Sequence, residues 1–89
     1  MEFRQLQYFV AVAEEESFSR AAEKMKVSQP SLSKAIQSIE DEYGVTLVKR
    51  TTRSFKLTDA GELIFKQGEK LIDDYEQLKD KLSELSSDY

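Results

Sequence analysis

From Ile64 to the last residue, the side chains at alternating intervals of four and three are Ile64, Gly68, Leu71, Tyr75, Leu78, Leu82, Leu85 and Tyr89. That spacing, sustained over more than three heptads, writes one apolar seam along a helix. No Pro interrupts the stretch after Thr58. Thr58, or Asp59 with Glu62 three residues on, can cap such a helix at its start. About 30 residues at ~1.5 Å each make a rod of ~45 Å. The 58 residues before it are too few to cover that rod. The pattern therefore predicts a partner helix from a second chain, with Ile64, Leu71, Tyr75, Leu78, Leu82 and Leu85 as the dimerisation residues. The competing reading is a long helix packed on its own domain or on further polypeptide. Gly68 costs ~1 kcal/mol relative to Ala, and it either admits a close backbone approach or weakens the seam.

Ahead of the rod the periodicity is helical and broken at short intervals. Leu6, Phe9, Val10 and Ala13 share one face of a first helix, from about Arg4 to Glu15. Three glutamates end it, an unfavourable charge for a helix C-terminus. Ser17 offers an N-cap, and Phe18, Ala21, Ala22 and Met25 repeat the stripe over a second, short helix. Lys24 and Lys26 suit its C-terminal end. Ser28 is the next cap, with Pro30 in the first turn where its missing N–H costs little. Leu32, Ala35, Ile36, Ile39 and Tyr43 then form the apolar stripe of a third helix, which Gly44 stops. Two helices joined by so short a turn make a helix-turn-helix. From Val45 the pattern changes. Thr46-Leu47-Val48 and Ser54-Phe55-Lys56-Leu57 flank Lys49-Arg50-Thr51-Thr52-Arg53, which reads as a small hairpin with a basic tip. The expected architecture is mainly α, with a helix-turn-helix and a small hairpin in residues 1–58 and one long helix over 59–89.

Composition removes most catalytic chemistry. The chain has no Cys and no His, so it has no disulfide, no thiolate nucleophile, no imidazole base and no zinc–sulfur centre. Asp73-Asp74 and Glu40-Asp41-Glu42 fall on solvated helix faces with no apolar pocket to shift their ionisation. The sequence predicts no enzyme, no cofactor and no metal. No apolar run is long enough to span a membrane, and the start lacks the pattern of a signal peptide. The cysteine-free composition fits the cytoplasm.

The net charge of −4 is misleading for a polyanion binder, because it is unevenly placed. Residues 1–58 carry nine Lys/Arg against eight Asp/Glu, and 59–89 carry four against nine. Phosphate binding responds to the local basic face rather than the total. On the third helix, Gln29, Ser33 and Gln37 are spaced by four, with Pro30 and Lys34 beside them. Gln can bond an adenine edge bidentately, Lys can reach guanine O6/N7, Ser can serve either, and Pro30 offers an apolar contact to a thymine methyl. Ser28 and the free N–H groups at the helix start suit a phosphate. Lys49, Arg50, Arg53 and Lys56 add phosphate contacts, and an Arg can enter a narrow minor groove. A second class of function remains open on these grounds: a protein-interaction module that works through the acidic coiled-coil helix.

The residues in order also carry a family likeness. Leu6-Gln7-Tyr8-Phe9, Ser17-Phe18-Ser19-Arg20-Ala21-Ala22, Val27 through Ser33, Ile36, Ile39-Glu40, Gly44-Val45-Thr46-Leu47, Arg50, Arg53 and Leu57-Thr58-Asp59-Ala60-Gly61 resemble the N-terminal DNA-binding region of the bacterial LysR-type transcriptional regulators. The resemblance is dense over residues 1–65. It implies a winged helix-turn-helix and a linker helix that pairs, usually antiparallel, with that of a second subunit. It further implies that Gln29, Pro30, Ser33 and Lys34 read a major groove of double-stranded operator DNA. Arg53 would reach toward the minor groove, and Ser28, Ser31 and Arg50 would lie near phosphates. Val48 stands where the family has Phe, so a thinner wing base is expected. Lys34 stands where Arg is common, and Lys lacks the bidentate fork. Family members continue into an effector-binding domain of two α/β lobes, so the resemblance makes this chain the DNA-binding fragment of a cytoplasmic bacterial regulator. A small-molecule effector would act only through that further domain. The fragment is expected to be a homodimer, and a tetramer is a further expectation for the full-length protein.

Overall fold

The computed structural model describes residues 1–51 and 53–87; Thr52 of the predicted wing tip and Tyr89 of the predicted seam lie outside them. The elements are α1 (Phe3–Glu15), α2 (Phe18–Met25), α3 (Gln29–Tyr43), β1 (Val48–Arg50), β2 (Phe55–Leu57) and α4 (Asp59–Ser87).

Each boundary has a local cause. The Glu2 N–H donates to Gln5 Oε1 at 2.9 Å at the start of α1. Ser17 Oγ accepts the Arg20 N–H at 3.1 Å, and Ser28 Oγ accepts the Ser31 N–H at 3.2 Å. Both serines therefore cap as their positions predict. Gly44 ends α3 in the left-handed region at φ 64°, also as predicted. Glu16 and Lys26 adopt the same conformation without being glycine, at φ 52° and 59°. That costs each roughly 1–2 kcal/mol. The Lys26 turn recovers part of it through the Val27 N–H, which donates to Ala22 O at 3.0 Å. The glutamates at the end of α1 meet Lys24 of α2, whose Nζ lies 3.4 Å from Glu14 and 3.8 Å from Glu15.

The core lies where α1, α2 and α3 meet. Phe9, Val12, Leu32, Ile39 and Leu47 are its largest fully buried side chains, and burying each such side chain stabilises the fold by roughly 1.5–3 kcal/mol. Val48, Phe55 and Leu57 pack onto the core from the hairpin, so Val48 serves as the wing base despite its smaller size. The antiparallel register pairs Val48 with Leu57, Lys49 with Lys56 and Arg50 with Phe55.

One junction ties the wing to both long helices. The Leu47 N–H donates to Glu40 Oε2 at 2.7 Å. The Leu47 carbonyl accepts the Thr58 N–H at 3.0 Å, while the Thr58 hydroxyl donates to the Thr46 carbonyl at 2.5 Å. The same hydroxyl oxygen accepts the Gly61 N–H at 3.1 Å, so Thr58 caps α4.

The first half of α4 is not free of the preceding residues. Ala60, Ile64 and Phe65 pack against the core, and Gly68 sits against Leu6 and Val10 of α1. Gly68 therefore marks a close helix approach within the chain. Ile64, predicted as a dimerisation residue, is half-buried against the core of its own domain. Phe3 of α1 meets Tyr75 with ring centroids 4.7 Å apart. Beyond that, Leu78, Leu82 and Leu85 are exposed, as is Leu71 one turn earlier.

At Gly61 a Cβ would fall 2.2 Å from the Leu47 carbonyl oxygen. Gly61→Ala is expected to destabilise the chain by about 2–3 kcal/mol, since backbone rather than a flexible side chain must move. Urea denaturation followed by circular dichroism measures it.

Candidate nucleic-acid interface

The reading face predicted on α3 is solvent-facing. Ser28, Gln29, Pro30, Ser31, Lys34 and Gln37 are exposed and Ser33 is half-buried. Leu32, Ile36 and Ile39 of the same helix are buried, so polar and apolar rows occupy opposite sides of one cylinder. Pro30 falls in the first turn, where it removes no intrahelical bond. The Ser28 hydroxyl also donates to Ser31 Oγ at 2.8 Å.

Two of these side chains are pre-set. Gln29 Oε1 accepts from the Ser19 hydroxyl at 3.1 Å, which turns its amide NH₂ outward. Gln37 Nε2 donates to Asp41 Oδ1 at 2.9 Å, which fixes the amide and leaves its carbonyl and one N–H to face solvent.

The wing stands beside this face. Gln29, Arg50 and Arg53 line one cleft of about 380 Å³, together with Ser17, Phe18 and Ser19 from the start of α2. Ser33 and Gln37 share a second cleft, about 210 Å³, with Arg50, Val48 and Glu40. Arg50 thus borders both. It sits in β1 rather than at the hairpin tip, and its guanidinium lies 3.9 Å from the centroid of the Phe18 ring. Phe18 in turn meets Phe55 edge-on at 6.4 Å. This stack aims the Arg50 cation while leaving it exposed, and a cation–π contact at an exposed site adds roughly 0.5–1 kcal/mol. Arg53 is exposed beyond the strand, with its N–H donating to Thr51 Oγ1 at 3.2 Å.

The basic residues of the wing divide between two faces. Lys49 and Lys56 are direct cross-strand partners and line a different cleft, with Val45 and Thr46. Alternation along a strand requires this separation from Arg50.

Sequence reasoning missed Ser19 and the second role of Phe18. Phe18 appears in the sequence only as a member of an apolar stripe, and Ser19 only as the residue after it. Ser19 sits two places after the Ser17 cap, at the open end of α2, and that position was the available signal. Among the described residues, no group of three or more His, Cys, Asp or Glu can hold a metal ion. No helix among them is long and apolar enough to cross a membrane.

A short helix, a three-residue turn, an exposed polar helix and a two-stranded basic hairpin define a winged helix-turn-helix. Residues 3–62 match the profile described as "Bacterial regulatory helix-turn-helix protein, lysR family", and the chain belongs to that family. It is similar to the probable cat1 operon transcriptional activator of Acinetobacter lwoffii, with 47% identity over 79 residues, 89% of this chain and 26% of that protein. It is also similar to the HTH-type transcriptional regulator BenM of Acinetobacter baylyi, 40% identical over 87 residues, 98% of this chain and 29% of that one. Among solved structures, a complex of the BenM DNA-binding domain with catB site 1 DNA aligns with a TM-score of 0.91. That alignment has 40% identity and covers 98% of each chain. The present chain therefore spans just over a quarter of the length of these two regulators.

Replacing Phe18 by Leu keeps an apolar group in the core and removes the ring beneath Arg50. Phe18→Leu is expected to cost about 1–2 kcal/mol. It should also speed amide exchange at Arg50 and Phe55 more than in α3, as hydrogen exchange followed by NMR would report.

Proposed function

We propose that this chain binds double-stranded DNA in a sequence-specific manner as a homodimer, and that it is the operator-reading part of a transcriptional regulator. The observation that carries the reading is the cleft shared by Gln29, Arg50 and Arg53. A helix edge able to enter a major groove and a cationic wing able to follow the adjoining backbone lie on one surface. The match to a DNA-bound structure over almost the whole chain supports it.

In this reading Gln29, Pro30, Ser33, Lys34 and Gln37 face base edges. The outward NH₂ of Gln29 donates to a purine N7 or a carbonyl oxygen. Its Oε1 keeps a second lone pair beside the Ser19 bond, so bidentate pairing with adenine remains open to it. Lys34 supplies a donor without a fork. Ser28 and Ser31 lie near a phosphate at the start of α3, with Arg50 on the flanking strand and Arg53 toward the minor groove. No catalytic role and no cofactor are assigned. The working compartment is the bacterial cytoplasm, where operator DNA lies, and response to a small effector belongs to the additional length the relatives possess.

Residues 1–58 are the reading unit and 59–89 the pairing helix, with α4 anchored on the reading unit through its first turns. Leu71, Tyr75, Leu78, Leu82 and Leu85 face a second, antiparallel copy. That arrangement presents two reading helices to successive faces of a duplex, ~34 Å apart or a multiple of it.

Selection of bound duplexes from a random pool is expected to return an inverted repeat. Gln29→Ala should relax preference at one base position by ~1–3 kcal/mol, and Arg53→Ala should weaken binding. Arg50→Ala should weaken all sequences alike and lower the salt slope by about one. Titrations at several salt concentrations separate these effects, and equal affinity of Gln29→Ala for every variant site would remove Gln29 from the reading set. Leu78→Asp should give monomers in sedimentation equilibrium at micromolar concentration and bind half-sites weakly.

A further inference from the structure

We infer that the two α4 helices meet in a single antiparallel register, set by two symmetric ion pairs between Asp74 of one chain and Lys81 of the other. The inference rests on the antiparallel homodimer described above and adds which residues select the partner.

The free seam is shorter than the sequence pattern. Ile64 packs on its own core and Gly68 is covered by Leu6 and Val10. The open row begins at Leu71 and continues through Tyr75, Leu78 and Leu82, which are 54%, 43%, 53% and 57% exposed. In heptad terms Tyr75 and Leu82 are one kind of seam position, and Leu71, Leu78 and Leu85 are the other. Helices running in opposite directions interleave the two kinds, and two alignments engage four residues of the open row on each helix. In the first, Leu71 faces Leu82 and Tyr75 faces Leu78, with the two-fold axis between residues 76 and 77. In the second, Leu78 faces Leu82 and Tyr75 faces Leu85, with the axis at residue 80.

Charge decides between them. One flank of the seam is occupied by the chain's own α1, whose Phe3 ring lies against Tyr75. The other flank carries Asp74 and Lys81, both exposed. Among the described residues neither has an ion-pair partner within its own chain. The first alignment sets Asp74 beside Lys81 twice, once on each side of the axis. The second sets Lys81 beside its own symmetry mate. Flanking charges of this kind contribute little to affinity but choose alignment and partner, because the wrong pairing places like charges together. The first alignment also brings Leu85 to Gly68 of the other chain, at the apolar junction of α1 and α4. The arrangement makes the pair a discriminator: a related linker helix with another charge order at these two positions is rejected.

The test uses the 89-residue chain without DNA. Asp74→Lys and Lys81→Asp each turn two attractive pairs into repulsive ones. Each is expected to raise the dimer dissociation constant roughly tenfold or more in sedimentation equilibrium. The double variant D74K/K81D should return to the wild-type value. An equal mixture of the two single variants should give heterodimer in clear excess over both homodimers by native mass spectrometry. Statistical mixing, or a Lys81→Asp chain that dimerises as tightly as wild type, would overturn the register. If Lys79→Asp replaces Lys81→Asp in creating the partner preference, the helices run parallel, since that alignment brings Asp74 to Lys79. A monomeric wild type would instead overturn the homodimer itself, a separate result.

Discussion

The geometry of the interface hangs on the backbone of one residue. Leu47 is fully buried, its N–H ends on the Glu40 carboxylate of α3, and its carbonyl takes the N–H of Thr58. A bond from an N–H to a carboxylate is stronger than one between neutral groups. The linkage also leaves no orphaned polar atom at the join, and unpaired polar groups are costly where water is excluded. Because α3, the wing and α4 all refer to Leu47, the placement of Arg50 beside Gln29 and Ser33 follows from it. Gly61 belongs to the same constraint, since only a hydrogen in place of a side chain lets the first turn of α4 close over that carbonyl.

The two halves of α4 serve different neighbours. Its early turns spend their apolar residues on α1 and the core, where Ala60, Ile64, Phe65 and Gly68 are covered. Its later turns carry leucines that remain exposed. The nine acidic residues of 59–89 are consistent with a helix that points away from a polyanion, while Arg50 and Arg53 of the wing stay near the reading face. A total charge of −4 therefore says little about the surface that matters.

Much of this was legible from residue type and spacing. The serine caps at 17 and 28, the Gly44 stop, the Pro30 turn and the three helical stripes are short-range signals whose chemistry acts within one turn, so they survive folding unchanged. The β-branched and aromatic stretches on either side of a basic tip marked the hairpin, and the family pattern added the roles of its arginines. Two things were not legible. The heptad run could not show that Gly68 lies against α1 and Ile64 against the core, because identical spacing serves a partner in the same chain or in another. Nor could spacing show that Arg50 rests on Phe18 or that Ser19 orients Gln29. Those contacts join residues 10 and 32 places apart, and their geometry exists only once α2, α3 and β1 have been assembled around the core.

The unbroken passage of α4 from a covered half to an open half has a geometric corollary. No hinge separates the end that grips the reading unit from the end that carries the leucines. The angle of the α3 edge about the rod is thereby phase-locked to the direction in which Leu78 points. One residue added between Gly68 and Leu71 would swing the reading head by about 100° and slide it ~1.5 Å, far outside what a groove tolerates. Such a molecule behaves as a caliper with a fixed jaw. In the proposed dimer, variation in the distance spanned must come from bending the duplex or sliding the two rods past each other, because α4 itself has no slack to give.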